Sequence, residues 1–377
     1  LEKSTTDLAK SRNILIACFG FYPETHGVAE VAYRHALGLY QLGYQVTVIT
    51  RGKSSIKLPF EVVYVERKSH YHQFIRESAA EVIFVHGWSN WASEWIIEIL
   101  PLRAKVVMIS HGTNFNVCLG GWRGILWWLR QRKEAWSFDK KMRLFDHYVF
   151  LSSWEDTQRM SDVVWAKKYG TAPFSVIPNG ARPAFMVPTH RNFLNEKGIQ
   201  ANRVLLCVSN YEPSKGQREL VQWFCEMKLP NTVLVLIGST FNRFSDRLKR
   251  LVGKEWNQTF FLFEQQTEAE IHAAYSCADV FVTATYTEVQ PLMLLDAMAK
   301  GLPFLSRKVG VISTLSGGVC FENKASFQLK LYQLLEDDQL RERLGAEGKN
   351  VAKKLYHWDV IALKYSQLVC KILDDQL

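Results

Sequence analysis

The chain has 377 residues, 47% of them apolar, and a formal net charge of +9, enough for two domains with separate cores and a reason to expect anionic partners. No apolar run nears the ~18 residues that span a bilayer and no stretch resembles a signal peptide; no nucleic-acid motif accompanies the charge, so no nucleic acid is expected. Seven cysteines, odd in number and without a C-x-x-C pair, exclude a disulfide or zinc framework and read as reduced core residues of a cytoplasmic protein.

Residues 1–12 are polar. NILIACFG (13–20) is an apolar strand, followed by the loop FYPETHG, an amphipathic helix over 28–42 and the strand QVTVIT (45–50). That is a strand, loop, helix, strand unit of the parallel doubly wound kind. EVIFVHG (81–87) and KVVMISHGTN (105–114) are further strands with polar ends. Ligands in such sheets gather beyond the carboxyl ends of the strands, so His86 and His111 are expected at a cleft, with a plain capping role for His86 equally open. GWRGILWWLRQRK (121–133) sets Trp122, Trp127 and Trp128 beside Arg123, Arg130, Arg132 and Lys133. It is either an interfacial helix for anionic lipid, which would make the protein peripheral on a membrane's inner face, or a buried contact with a solvated basic face. FDHYVFLSS (145–153) is a strand, and FSVIPNGARPAF (174–185) closes a first domain placed at 1–186.

RVLLCVSNYEPSKGQRELVQWF (203–224) repeats strand, loop and helix, opening a second domain placed at 187–355. TVLVLIGST (232–240) and TFFLFEQ (259–265) read as strands, AEIHAAYSCAD (269–279) as a helix, DVFVTAT (279–285) as a buried parallel strand, and SGGVCF (316–321) as the end of the sheet. Pro291 suits a first helical position and Gly301 a left-handed stop, so a helix is expected over 291–300. Glu288 sits at its mouth and Asp296 inside it. Two acids so placed can grip two ends of one long ligand, and the free N–H groups of the first turn make a seat for phosphate.

Glu288, seven residues, Asp296 and then A-M-A-K-G-L-P resemble the nucleotide-sugar site of retaining glycosyltransferases of family 4. The resemblance implies two doubly wound α/β, Rossmann-like domains facing a cleft, the GT-B arrangement, with residues 356–377 as a terminal helix crossing back to the first domain. It assigns Glu288 to the reacting sugar, Asp296 to the ribose hydroxyls and His111 to the transferred sugar. Gly27 is the survivor of a Gly-Gly pair that approaches the donor diphosphate; His26 fills the other position, either bonding phosphate or acceptor or inert. Lys215 is the kept cation of a G-R-x-x-x-x-K-G pattern, whose Arg position is Asn210, so Arg218 or Arg243 would have to supply a second positive charge. Gln290, Pro291 and Leu292 line the helix mouth. Other departures are Asp for Glu at 296, Val289 for Gly, Gln290 for an aromatic or Leu, and Arg182 for Asp in the I-P-N-G segment.

The expected reaction is transfer of a sugar from a nucleotide diphosphate sugar to an acceptor hydroxyl, on a lipid-linked or cell-envelope glycan. No D-x-D triplet occurs, so no metal or further cofactor is expected, and Lys215 with the helix dipole must stabilise the leaving diphosphate. Retention would proceed by same-face attack. A soluble acceptor, or a non-catalytic partner subunit that kept the fold, are the alternatives. A dehydrogenase lacks its G-x-G-x-x-G here.

Overall fold

The computed structural model describes residues 12–24, 26–112, 125–126, 128–129, 138, 140–153, 161–169 and 172–374. Internal packing divides the chain into two units, Leu1–Asn179 with Trp358–Leu377, and Gly180–His357.

The first unit holds seven parallel strands: β1 (Asn13–Cys18), β2 (Gln45–Thr50), β3 (Glu61–Tyr64), β4 (Val82–His86), β5 (Lys105–Ile109), β6 (His147–Phe150) and β7 (Phe174–Val176). Their order is β3-β2-β1-β4-β5-β6-β7, so the winding reverses between β1 and β4. Ile14 pairs with Val46 on one side of β1 and with Val82 on the other. The central strands are apolar without alternation because helices cover both faces. Helix Gly27–Gln41 follows β1, and the terminal helix Trp358–Asp374 lies against it. The approach is close: a Cβ added at Gly38 would stand 2.7 Å from the Ala362 Cβ. Tyr44 fastens the same helix through its hydroxyl, 2.8 Å from Ser366 Oγ.

The second unit repeats the pattern with β8 (Arg203–Val208), β9 (Thr232–Gly238), β10 (Phe260–Glu264), β11 (Val280–Thr283), β12 (Phe304–Arg307) and β13 (Gly318–Phe321), in the order β10-β9-β8-β11-β12-β13. Its reversal lies between β8 and β11. Alternate residues go to opposite faces, as the two-residue period of a strand requires. Val204 and Leu206 pack with Leu294, Leu295 and Met298 of helix Leu292–Lys300. Leu205 and Cys207 pack on the other face with Leu220, Val221 and Phe224 of helix Gln217–Met227.

Three sequence expectations are corrected. Residues 180–186, placed with the first domain, belong to the second unit: Ala181 and Phe185 are buried in its core, and the Ala181 N–H donates to the Tyr356 carbonyl at 2.8 Å. The last boundary falls after His357 rather than after residue 355. Pro291 is not the first helical residue but the cap, extended at φ −74°, ψ 117°, and the helix starts at Leu292. The sequence carries no expectation of strands β3, β7 and β12.

Candidate active site

In open α/β sheets ligands collect beyond the strand ends where the winding reverses. In the second unit that places the loops after β8 and β11 together. After β8 the chain makes a tight turn, Pro213–Lys215, and then Gly216 at φ 64°. A Cβ at Gly216 would lie 1.9 Å from the Ala284 carbonyl oxygen, so only glycine lets this turn press on the end of β11. Gln217, fully buried, braces the turn: its amide nitrogen donates to Ser209 Oγ at 3.0 Å and its oxygen accepts the Glu212 N–H at 3.3 Å.

The loop after β11 is tied to the same turn, the Tyr286 N–H donating to the Ser214 carbonyl at 2.9 Å. Thr285 Oγ1 donates to the Thr287 carbonyl at 3.2 Å and lies 3.3 Å from Glu288 Oε1. Gly310, at φ 52°, backs the loop so closely that an added Cβ would fall 2.1 Å from the Glu288 carbonyl. These constraints bring Lys215 Nζ to 2.7 Å from Glu288 Oε1, both side chains partly exposed at 24% and 13%. One cation and one carboxylate, 73 residues apart in sequence, thus meet where a ligand is expected.

The other residues assigned to this half of the site differ in access. Asn210 is exposed, Gln290 and Pro291 are buried and Leu292 is half-buried. Arg218 and Arg243 are both exposed. Arg307, at the end of β12 and marked by no sequence motif, donates through Nε to the Ala284 carbonyl at 3.1 Å, pairs with Glu219, and lies 4.7 Å from the Tyr286 ring centroid.

Asp296 departs most from expectation. It is 1% exposed, and its carboxylate is held from three directions by Arg182: the backbone N–H to Oδ1 at 2.9 Å, Nε to Oδ2 at 2.9 Å and Nη2 to Oδ2 at 2.8 Å. The guanidinium lies over the Phe185 ring at 4.2 Å; burial disfavours its charge, but the Asp296 carboxylate outweighs this and raises its pKa above the ordinary arginine value. The carboxylate that the resemblance assigns to a ribose is therefore engaged inside the fold. Two substitutions act together: Asp is shorter than Glu, and Arg182 stands where an acid is usual.

In the first unit the corresponding strand ends carry histidines. His26 caps helix Gly27–Gln41, its Nδ1 accepting the Ala29 N–H at 3.3 Å, while Nε2 pairs with Glu24 at 2.9 Å. Both ring nitrogens are thus used locally. Gly27 is exposed at the first turn of that helix. His111 follows β5 and lies with Nε2 3.1 Å from His86 Nδ1. His86, at the end of β4, is fully buried and does not reach a surface. Burial, then the neighbouring imidazoles, holds His86 well below the ordinary range; burial first and then His26 lower His111 to about 4.

Of the 121–133 stretch, only 125, 126, 128 and 129 are among the described residues: Ile125, Leu126 and Leu129 are exposed and Trp128 is half-buried. Trp122, Trp127, Arg123, Arg130, Arg132 and Lys133 lie outside them. Among the described residues no helix is long and apolar enough to cross a membrane, and no three His, Cys, Asp or Glu side chains converge as metal ligands would.

Residues 191–351, which contain the Lys215–Glu288 pair, match the family model described as glycosyl transferases group 1. The chain is also similar to curated relatives over part of its length. Spore coat protein SA of Bacillus subtilis (strain 168) is 27% identical over 186 residues, 45% of this chain and 48% of that protein. Alpha-monoglucosyldiacylglycerol synthase of Acholeplasma laidlawii is 24% identical over 222 residues, 53% of each. The chain spans about half the length of the curated relatives it matches. Among solved structures, sucrose-phosphate synthase from Thermosynechococcus elongatus superposes with a TM-score of 0.76 at 16% identity, over 97% of this chain and 100% of that one. That likeness shows the GT-B glycosyltransferase fold.

Proposed function

We propose that the protein is a glycosyltransferase that moves a sugar from a nucleoside diphosphate to an acceptor hydroxyl, retaining the anomeric configuration and using no metal. The observation that carries this reading is the Lys215–Glu288 pair, 2.7 Å apart at the strand-order reversal of the group 1 region. A diphosphate arriving there competes with Glu288 for Lys215 and leaves the carboxylate beside the sugar. As the bond to the sugar breaks, charge grows on the diphosphate, and a fixed cation stabilises that transition state more than the ground state. The free N–H groups of the first turn of helix Leu292–Lys300, behind Gln290 and Pro291, add positive partial charge. In the first unit this reading gives His111 to the transferred sugar and Gly27 to the diphosphate. With Asn210 in place of a second cation, Lys215 carries most of the leaving-group charge. Retention then proceeds by same-face attack.

For the acceptor we propose a lipid-linked or cell-envelope glycan met by a protein peripheral to the membrane on its cytoplasmic side. Two observations support it. Ile125, Leu126 and Leu129 are 54%, 57% and 52% exposed within a stretch rich in Trp and Arg, and a relative is named for synthesis of a glucosylated diacylglycerol. Incubation with a panel of nucleotide sugars tests the reaction through donor hydrolysis and through transfer to lipid extracts, with the product anomer read by NMR. Turnover of one donor in the presence of chelator is expected. No hydrolysis of any donor, with nucleotide still bound, would favour a non-catalytic partner subunit, a reading that the engaged Asp296 supports. Vesicle sedimentation tests the membrane contact. Recovery with anionic but not neutral vesicles, abolished when Arg123, Arg130, Arg132 and Lys133 become Ser, is expected.

A further inference from the structure

Beyond the donor residues, the first unit contains a chain of three imidazoles. His111 Nε2 lies 3.1 Å from His86 Nδ1, and His86 Nε2 lies 3.2 Å from His35 Nδ1. The His86 and His111 ring planes differ by 24° with centroids 5.3 Å apart, and those of His35 and His86 by 54° with centroids 5.4 Å apart. His35 and His86 are 1% and 0% exposed. At the inner end His35 Nε2 is buried and meets no donor or acceptor among the described residues; its ring packs 3.9 Å from the Tyr365 centroid and 4.7 Å from that of Phe84. At the outer end Asn90 holds the strand end in place, its amide donating to the carbonyls of His86 at 3.1 Å and Gly87 at 2.8 Å.

Burial lowers all three, His35 to about 3 and His111 to about 4 with His86 also depressed, so each ring is neutral at pH 7. A neutral imidazole offers one N–H and one lone pair. Two bonds in series then admit only two arrangements. If every proton points toward His111, His35 donates from Nδ1, His86 donates from Nδ1, and His111 carries its own proton on Nδ1. The inner end is left with a lone pair at His35 Nε2. If every proton points the other way, an N–H is left at His35 Nε2 among aromatic carbons, and an orphaned buried N–H is the rarer defect in folded proteins.

We infer that His86, set by His35, is a positioning residue that fixes His111 as the Nδ1–H tautomer, so that the ring nitrogen His86 does not engage is a hydrogen-bond donor. This rests, for its use, on the reading of His111 as a contact to the transferred sugar: the histidine would give a hydrogen bond to a sugar oxygen and not accept one. A sugar presenting only a donor at that point would be rejected, because each unmade bond leaves a polar group unpaired.

Long-range proton–nitrogen correlation on the full chain labelled with ¹⁵N-histidine tests the inference without any donor present. His111, identified by the signal lost in His111→Asn, is expected to carry its proton on Nδ1 at pH 7. A proton on Nε2 overturns the inference, whatever the variants do. In His86→Phe, which keeps a ring of similar size, His111 is expected to become a mixture of the two tautomers, and kcat/KM to fall about ten- to a hundredfold, the scale seen when a partner that orients a histidine is removed. A His86→Phe protein with the His111 proton unmoved would show that His86 only fills space. Failure of every nucleotide sugar to react would sink the proposed function while leaving the tautomer assignment to the spectrum.

Discussion

Lys215 and Glu288 are each the other's partner at 2.7 Å, and their worth to the reaction separates from their worth to the fold because both are partly open to water. A partly exposed pair contributes less stability than the roughly 3–5 kcal/mol at stake in a fully buried one, whereas a cation facing a leaving diphosphate would contribute about 10²-fold or more in turnover. Lys215→Ala is therefore expected to cut kcat about a hundredfold with little change in melting, and Glu288→Gln to do likewise. A rise in KM with kcat intact would mean that Lys215 only binds. Asp296 is the opposite case. Breaking a buried ion pair costs about 3–5 kcal/mol, and at roughly 2–4 °C per kcal/mol for a unit of this size, Asp296→Ala should melt about 10 °C lower. Because its oxygens are already held by Arg182, uridine and 2′-deoxyuridine diphosphate should bind within a few-fold of each other. A tenfold or larger preference for the ribose form, measured by calorimetry, would return Asp296 to the nucleotide. The sequence pointed to Asp296 through its spacing from Glu288 and its neighbours; its partner stands 114 residues away, and no local pattern reports a pairing over that distance.

At the scale of elements, glycines decide where the functional loops lie. Gly216 and Gly310 are both at positive φ, and an added Cβ would fall 1.9 Å from Ala284 and 2.1 Å from Glu288 backbone oxygens. Gly216→Ala thus combines a left-handed strain with a backbone clash, and a loop with its lysine must move to relieve it. Activity is expected to fall about tenfold or more while the secondary structure persists, since misplacing a catalytic group by ~1 Å can cost 10²-fold; circular dichroism and donor turnover on one sample check this. The long buried strands were legible because helices on both faces leave the apolar run unbroken, as in NILIAC and VIFVH. Strands β3, EVVY, and β12, FLSR, have four residues each. So short a segment carries no periodicity, and β3 is half-exposed at the sheet edge.

At the scale of the whole molecule, stability is linked to pH and ligand. The buried His35 and His86 are neutral when folded and have the ordinary value of 6.5 when unfolded. Below that value the unfolded chain takes up protons that the folded one refuses, so stability falls as pH drops through 6.5 toward about 3, the folded value of His35, and is level above 7. Calorimetry from pH 7.5 to 5 should show the melting temperature falling, and less steeply in His86→Phe. A melting temperature that rises toward pH 5 would mean that the imidazoles are charged in the fold. Uridine or guanosine diphosphate should raise melting by mass action, about 2.7 kcal/mol at a hundred times Kd, and no shift with any nucleoside diphosphate at millimolar concentration would remove the donor site.

Local chemistry was enough for the class of this protein. Apolar runs alternating with amphipathic helices require a doubly wound sheet, because each strand buried on both faces needs helices to cover it, and Glu288 with the proline and glycine that bound its helix marked the loop that carries the Lys215–Glu288 pair. Tertiary structure alone decided what each charged or titratable group there faces. Lys215 met Glu288, Asp296 turned to Arg182, His26 became a helix cap and His86 an inner link between His35 and His111. The physical reason is one of range. Helix and strand preferences act over a few residues and are written along the chain, whereas ion pairs, tautomers and desolvation depend on which distant side chains share a few cubic ångströms once the sheets have formed.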